Sequence, residues 1–223
     1  MNDHGTALIG QWTELVAELF RQLPRADDPR LPAILAKYSN GQGGFQGALL
    51  KKDLDEALLL PKKEPKLLRR VGMANVTAVA KFVVNEVALK AANVGYTGSN
   101  FDSLFRGKVE ENVPAGVVGL NLLERNSKDS PMMAELGDKA VSPVVYLFDS
   151  IRQTNEAMAR GEDGPLLTDG YKANVLYAIG SDGNIWAVSA CWCFDDRCWS
   201  VLAFSVVSPY DWDAGVQILS RDS

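Results

Sequence analysis

Residues 173–204 have the sequence ANVLYAIGSDGNIWAVSACWCFDDRCWSVLAF, and their apolar side chains alternate with small or polar ones. A period of two is typical of β-strands, because successive side chains of a strand point to opposite faces. With the apolar residues near the end of the sequence, this stretch predicts four strands, over 173–180, 184–193, 198–208 and 216–221. The connections between them contain turn residues, so we expect an antiparallel meander.

The short connections also predict which residues of neighbouring strands face each other. A two-residue turn at 182–183, where the sequence is Asp-Gly, pairs Tyr177 with Val188. The four-residue loop after the second strand pairs Trp192 with Trp199 on one face of the sheet.

Upstream of these strands, apolar residues recur every three or four positions, which is typical of amphipathic helices. The longest predicted helix covers 65–93, and the clearest covers 143–160. The polar, glycine-rich stretch 161–171 predicts a linker. We therefore expect an α+β fold in which a mainly helical region, 1–160, packs with the four-stranded antiparallel β-meander, 172–223, as one globular unit.

The composition excludes several kinds of active site. The chain has 223 residues, 47% of them hydrophobic, a net charge of −5 and a single histidine, His4, close to the first residue. Catalytic triads of the Ser-His-Asp type, Cys-His pairs and multi-histidine metal sites therefore lack a residue they need. No segment resembles a signal peptide or a membrane span. We expect a cytoplasmic protein with no membrane partner and no cofactor.

Aromatic and charged residues gather in two of the predicted strand connections, at 192–199 and 210–212. Tryptophan and arginine on exposed loops are typical anchors of protein interfaces. The alternative is that the tryptophans of the first loop form a cross-strand pair in the core. The candidate partner-binding residues are Trp192, Phe194, Asp195, Asp196, Arg197, Trp199, Tyr210 and Trp212.

Three cysteines lie in the same hairpin, as Cys191, Cys193 and Cys198. The predicted register places Cys193 opposite Cys198, and three thiolates with Asp195 offer a weak candidate zinc site. A structural zinc site usually has four Cys or His ligands in paired short spacings, which this pattern lacks. Cysteines acting as small apolar strand residues are the simpler interpretation.

A basic segment at 51–70 supports a different hypothesis. It contains seven basic residues and follows a glycine-rich connector at 40–47. Such a segment binds phosphates by releasing counterions, although on a solvated helix face the same residues form ion pairs with nearby acids. The candidate nucleic-acid-binding residues are Lys51, Lys52, Lys62, Lys63, Lys66, Arg69 and Arg70.

These observations favour a protein that binds another macromolecule without catalysis, as a regulatory or assembly protein. The expected partner is another protein or a second copy of the chain in a homo-oligomer. Nucleic-acid binding through 51–70 is the first alternative. The second is an enzyme that uses carboxylates, a thiol or a metal in place of histidine, and no set of residues in the sequence points to its catalytic groups.

Overall fold

The computed structural model describes residues 66–170 and 172–222. They belong to the second of the two units into which the chain divides, Pro65–Ser223. The helices predicted before residue 65 lie outside the described residues, as do the connector 40–47 and the candidates Lys51, Lys52, Lys62 and Lys63.

The described residues form nine strands and four α-helices. The strands are β1 (Leu68–Val76), β2 (Val79–Val83), β3 (Val94–Thr97), β4 (Val109–Val113), β5 (Gly116–Leu123), β6 (Asn174–Ile179), β7 (Ile185–Cys193), β8 (Cys198–Ser205) and β9 (Gln217–Arg221). The helices are α1 (Glu86–Ala91), α2 (Ser99–Phe105), α3 (Asp129–Leu136) and α4 (Val145–Ala159).

The main feature is a seven-stranded mixed sheet with the strand order β1-β5-β9-β6-β7-β8-β3. Strand β9 is parallel to β6, and β3 is parallel to β8, while the other neighbours are antiparallel. Strands β2 and β4 form a separate antiparallel pair.

Apolar side chains fill the space on both faces of this sheet. Leu176 and Val188 point to the face that contacts α4, where they pack with the fully buried Ile151. Val175 and Tyr177 point to the other face, where they pack with Met132 of α3. A central strand that is buried on both faces has few polar positions, which explains the nearly continuous apolar sequence of β6.

The prediction of a mainly helical region before residue 160 is wrong, because the described part of that region contains five strands, β1 to β5, three of which belong to the seven-stranded sheet. The long helix predicted over 65–93 is replaced by β1, β2 and the six-residue helix α1. In β1 the pairing with β5 shifts between Arg70 and Gly72. Such a bulge adds one residue to the strand and interrupts the alternation of buried and exposed side chains. The resulting spacing of apolar residues imitates that of a helix.

The prediction of a four-stranded meander is also wrong, because β9 does not pair with β8. Strand β9 lies between β5 and β6. The edge of β8 that does not pair with β7 pairs with β3. In the segment between β8 and β9, the backbone of Trp212 pairs with that of Ser127. This contact joins positions far apart in the sequence, so local turn signals carry no information about it.

The register predicted for β7 and β8 is confirmed, since Trp192 pairs with Trp199. The register predicted for β6 and β7 is wrong by one residue, because Tyr177 pairs with Ala187. The N–H of Gly180 donates to the carbonyl of Asn184 at 2.8 Å, which leaves a loop of three residues, 181–183, and Gly183 has a φ of +80°. A three-residue loop with a left-handed glycine produces a bulge and moves the register by one position relative to a two-residue turn.

Helix α4 confirms the helix predicted over 143–160. Its N-terminus is capped by a side chain from another element, because Glu110 of β4 accepts hydrogen bonds from the backbone N–H groups of Val144 (2.9 Å) and Val145 (3.0 Å). The carboxylate also pairs with Lys108 at 3.1 Å, and its side chain is only 9% exposed. Glu110 thus joins the small sheet to the principal helix of the core.

Replacing Glu110 with alanine is expected to lower the free energy of unfolding by about 2 kcal/mol, because the two N–H groups lose their acceptor. Urea unfolding monitored by circular dichroism measures the change. The neighbouring Glu111 is the matched control, because its pair with Lys81 spans 3.6 Å and both side chains are largely exposed. Its alanine variant should change stability by less than about 0.5 kcal/mol. Equal effects of the two substitutions would contradict the capping role.

In the part of the chain that the structure describes, no helix has the length and apolar character needed to cross a membrane.

Candidate functional site

The structure separates the two groups of candidate partner-binding residues. Phe194 lies in the loop before β8, whereas Tyr210 and Trp212 lie in the segment after it. At about 3.3 Å per residue, the length of β8 places these loops roughly 20 Å apart or more. The two loops therefore do not form one surface.

The two tryptophans beside the first loop, Trp192 in β7 and Trp199 in β8, pack against each other. Trp199 is fully buried, and its indole Nε1 donates a hydrogen bond to Oδ1 of Asn155 on α4 at 2.9 Å. Trp192 packs against it edge to face, with ring centroids 5.5 Å apart. Trp199 is therefore buried, as the core interpretation expected, whereas Trp192 is half-buried against it.

The tip of the same hairpin is exposed. Phe194 is 58% exposed and covers Gly170, where a Cβ atom would lie 2.5 Å from the phenyl ring. Asp195, Asp196 and Arg197 are exposed as well. Arg197 has a φ of +49°, and its carbonyl accepts a hydrogen bond from the side chain of Asn93. The tip therefore presents exposed charges of both signs.

The second loop forms a cavity with the end of β8 and the start of α3. This cavity has a volume of about 220 Å³, and we call it the aromatic-acidic pocket. Its rings come from Phe204, Tyr210 and Trp212, and its carboxylates from Asp129 and Asp211. The rings of Phe204 and Trp212 meet edge to face, with centroids 5.6 Å apart and planes at 87°. Tyr210 is 80% exposed at the opening.

Hydrogen bonds fix Trp212 within this pocket. Its backbone N–H donates to the carbonyl of Ser127 at 2.8 Å, and its carbonyl accepts from the N–H of Ser127 at 3.1 Å. Its indole Nε1 donates to Oδ1 of Asp129 at 2.7 Å. Two backbone bonds and one side-chain bond hold the ring in a single orientation. The pocket is therefore preorganised on its inner side and open at Tyr210.

The inner carboxylate of the pocket, Asp129, is only 2% exposed. Its Oδ1 accepts hydrogen bonds from the hydroxyl of Tyr177 at 2.8 Å and from Trp212. Burial raises the pKa of Asp129 above its ordinary value of 3.8, while these two hydrogen bonds act in the opposite direction. Burial, followed by the charge of Asp129, also raises the pKa of Tyr177, so its hydroxyl stays a donor.

The charge of the pocket determines what it attracts. Among the described residues that line it, no lysine or arginine balances Asp129 and Asp211. Aromatic rings carry negative charge density on their faces, and carboxylates add full negative charges. The arrangement is suited to a cation with an apolar surface.

Sequence reasoning missed Asp129 and Phe204, and it named Tyr210 and Trp212 without Asp211, which lies between them. Asp129 appears in the sequence only as an acid at the start of a short helix, 83 positions before Trp212. Phe204 appears only as an apolar residue of a strand. No local pattern identifies either, because the contact that unites them arises when β9 returns to the centre of the sheet.

The cysteines are close together without forming a recognisable metal centre. Cys193 faces Cys198 across the strands, as predicted, and all three thiols are free. Burial raises the pKa of Cys191, and burial together with the charge of Cys193 raises that of Cys198. Within residues 66–170 and 172–222, no group of three or more His, Cys, Asp or Glu side chains is arranged to hold a metal ion.

Three residues of the basic segment lie in the described part of the chain. Lys66 is exposed, whereas Arg69 pairs with Glu124 at 2.5 Å and Arg70 pairs with Asp222 at 2.7 Å. These carboxylates offset the charge available to a phosphate backbone. The nucleic-acid hypothesis stays a prediction.

Comparison of the chain with protein-family models, with curated proteins and with solved structures gave no match.

Proposed function

We propose that the protein is a non-enzymatic protein-binding module and that its aromatic-acidic pocket receives a cationic side chain of the partner. The observation that carries this proposal is the combination of three aromatic rings and two carboxylates around one small cavity. Aromatic cages of this kind recognise alkylammonium groups, because the cation is attracted to the ring faces while its methylene or methyl groups contact the rings.

The size of the pocket favours a single side chain over a free metabolite. Sites for drug-sized ligands usually have volumes of about 300–1,000 Å³, whereas this cavity has about 220 Å³. The head of a lysine or methylated lysine is much smaller than such a ligand. The rest of the partner would then lie on the exposed surface around Tyr210, as expected for a polar rim around a buried anchor.

The proposal includes the cellular setting of the interaction. We place the protein in the cytoplasm, which agrees with its three free thiols, and it requires neither a cofactor nor nucleic acid. The partner is a protein, and a second copy of the chain is included because lysine side chains are present on its own surface. Light scattering over a range of concentrations distinguishes self-association from binding to a different protein.

Replacing Tyr210 with alanine is expected to weaken binding of a lysine-containing peptide about tenfold, since a cation over an aromatic face contributes roughly 0.5–2 kcal/mol. Calorimetric titration of the full chain with peptides carrying unmodified lysine, trimethyllysine or norleucine measures the effect. The norleucine peptide should not bind detectably. Phe194→Ala is the matched control, because it removes an exposed aromatic ring from the other loop. Equal binding of the lysine and norleucine peptides would reject the proposal.

The same binding should weaken as the pH falls. Protonation of Asp129 removes a negative charge from the pocket, and because its pKa is raised, this occurs at a higher pH than for an ordinary aspartate. Tyr177 stays neutral throughout, and Asp211 also faces the cavity. In the Asp129→Asn variant, which carries no charge at this position at any pH, the affinity should fall less as the pH is lowered. An affinity that is constant down to pH 4 would contradict an electrostatic role for the pocket.

A further inference from the structure

A second and larger cavity lies on the α4 side of the sheet. Its volume is about 530 Å³, within the range of ligand sites. Strands β1 and β5 form one wall, and the segment from Asp163 to Leu167 forms another. Val71, Met73, Leu120 and Leu166 give it apolar surface, while Gln217 contributes a terminal amide.

The amide of Gln217 is the unusual feature of this cavity. The residue is 3% exposed, and its Oε1 has no hydrogen-bond partner. Two nearby amides already have partners: Asn174 bonds to the backbone of Leu167 and Ala190, and Gln153 bonds to the carbonyl of Asn75 at 2.7 Å. Buried polar groups are nearly always paired, because an unpaired one loses its bonds to water without compensation. An amide oxygen without a partner, beside a cavity, therefore indicates a missing hydrogen-bond donor.

The chemistry of that partner follows from the amide itself. The unpaired Oε1 of Gln217 is an acceptor, and the N–H of a carboxamide or a lactam supplies the donor that it lacks. The surrounding aliphatic side chains are suited to an apolar body attached to that group. We propose that this cavity is a binding site for a small molecule that carries a carboxamide or lactam on an apolar framework, with Gln217 as the recognition residue.

Benzamide is a suitable probe, with acetophenone as an isostere that retains the acceptor but lacks the N–H donor. Ligand-observed NMR titration of the full chain is expected to show benzamide binding at least tenfold more tightly than acetophenone. The Gln217→Met variant should lose this preference, because methionine fills similar space without donor or acceptor. The Tyr210→Ala variant should keep it, since Tyr210 lies in the other cavity.

The free protein provides a second measurement that shows whether the variant folds. Because the substitution Gln217→Met removes a buried amide oxygen that has no partner, the melting temperature of the variant should be about 2–4 °C above that of the wild type. Absence of benzamide binding, equal binding of the two probes, or an unchanged preference in Gln217→Met would overturn the assignment. These outcomes are independent of the aromatic-acidic pocket, so they leave the proposed protein-binding function untouched.

Discussion

The Asp129→Ala variant is expected to lose about 2–4 kcal/mol of unfolding free energy. The substitution leaves two donors, the Tyr177 hydroxyl and the Trp212 indole N–H, without the acceptor that they share. Tyr177 is fully buried, so water cannot replace the carboxylate there. Each buried donor without a partner costs roughly 1–3 kcal/mol. Removal of the buried charge of Asp129 offsets part of the cost of the two donors. Urea unfolding at neutral pH measures the loss.

The Asp129→Asn variant is the matched control for this experiment. Asparagine keeps an oxygen that accepts from both donors but carries no charge. Since burial raises the pKa of Asp129, the charged carboxylate destabilises the folded state at neutral pH. The asparagine variant should therefore be as stable as the wild type or slightly more stable. A loss equal to that of the alanine variant would show that the charge, and not the hydrogen bonding, holds Trp212.

The pH dependence of the wild type follows from the same group. The folded protein takes up a proton on Asp129 at a higher pH than the unfolded chain, whose carboxyl titrates at its ordinary value of 3.8. The destabilising contribution of Asp129 is present above the raised pKa and is lost as the pH falls towards 3.8. The difference in unfolding free energy between the wild type and the Asp129→Asn variant should therefore become smaller as the pH falls.

Replacing Trp199 with alanine is expected to lower the free energy of unfolding by about 3–5 kcal/mol. The side chain is fully buried, contacts the ring of Trp192 and bonds to Asn155 on α4. Its removal leaves a large cavity beneath the principal helix, and the half-buried amide oxygen of Asn155 loses its donor. Chemical unfolding measures the loss, and a phenylalanine variant, which retains much of the volume, should lose less.

Phe194→Ala is the control for this second experiment. Phe194 is five positions away in the same hairpin but 58% exposed, so its removal should change stability by less than about 1 kcal/mol. If Trp199→Ala kept its stability and lost partner binding, then the core assignment would be wrong. The opposite result would confirm that the hairpin tryptophans serve the fold, while the pocket at the other end of β8 is the site to test for binding.

The strands at 173–204 were predictable from sequence because each is defined by its own residues. The period of two and the four-residue loop are local features, and they placed Trp192 opposite Trp199 as observed. The helix α4 was predictable for the same reason, since its apolar stripe repeats over fifteen residues. Local periodicity is sufficient where an element is long and regular.

The helical region predicted before residue 160 fails where that periodicity is interrupted. The bulge in β1 breaks the alternation that would have indicated a strand, and its pairing partner, β5, is about fifty residues away. Strand propensity depends on such partners more than on the strand's own sequence. The same limit applies to the register of β6, where a three-residue loop with a left-handed glycine was taken for a two-residue turn.

By itself, the sequence determined the existence of four C-terminal strands and of the helix α4. Only the tertiary structure decided where β9 lies. The position of β9 in turn decides which residues line the two cavities. Asp129 meets Trp212, and Gln217 meets the wall formed by β1 and β5, because β9 returns to the centre of the sheet. The physical reason is that an interaction between distant positions depends on the free energy of the whole fold, which no short segment of the sequence contains.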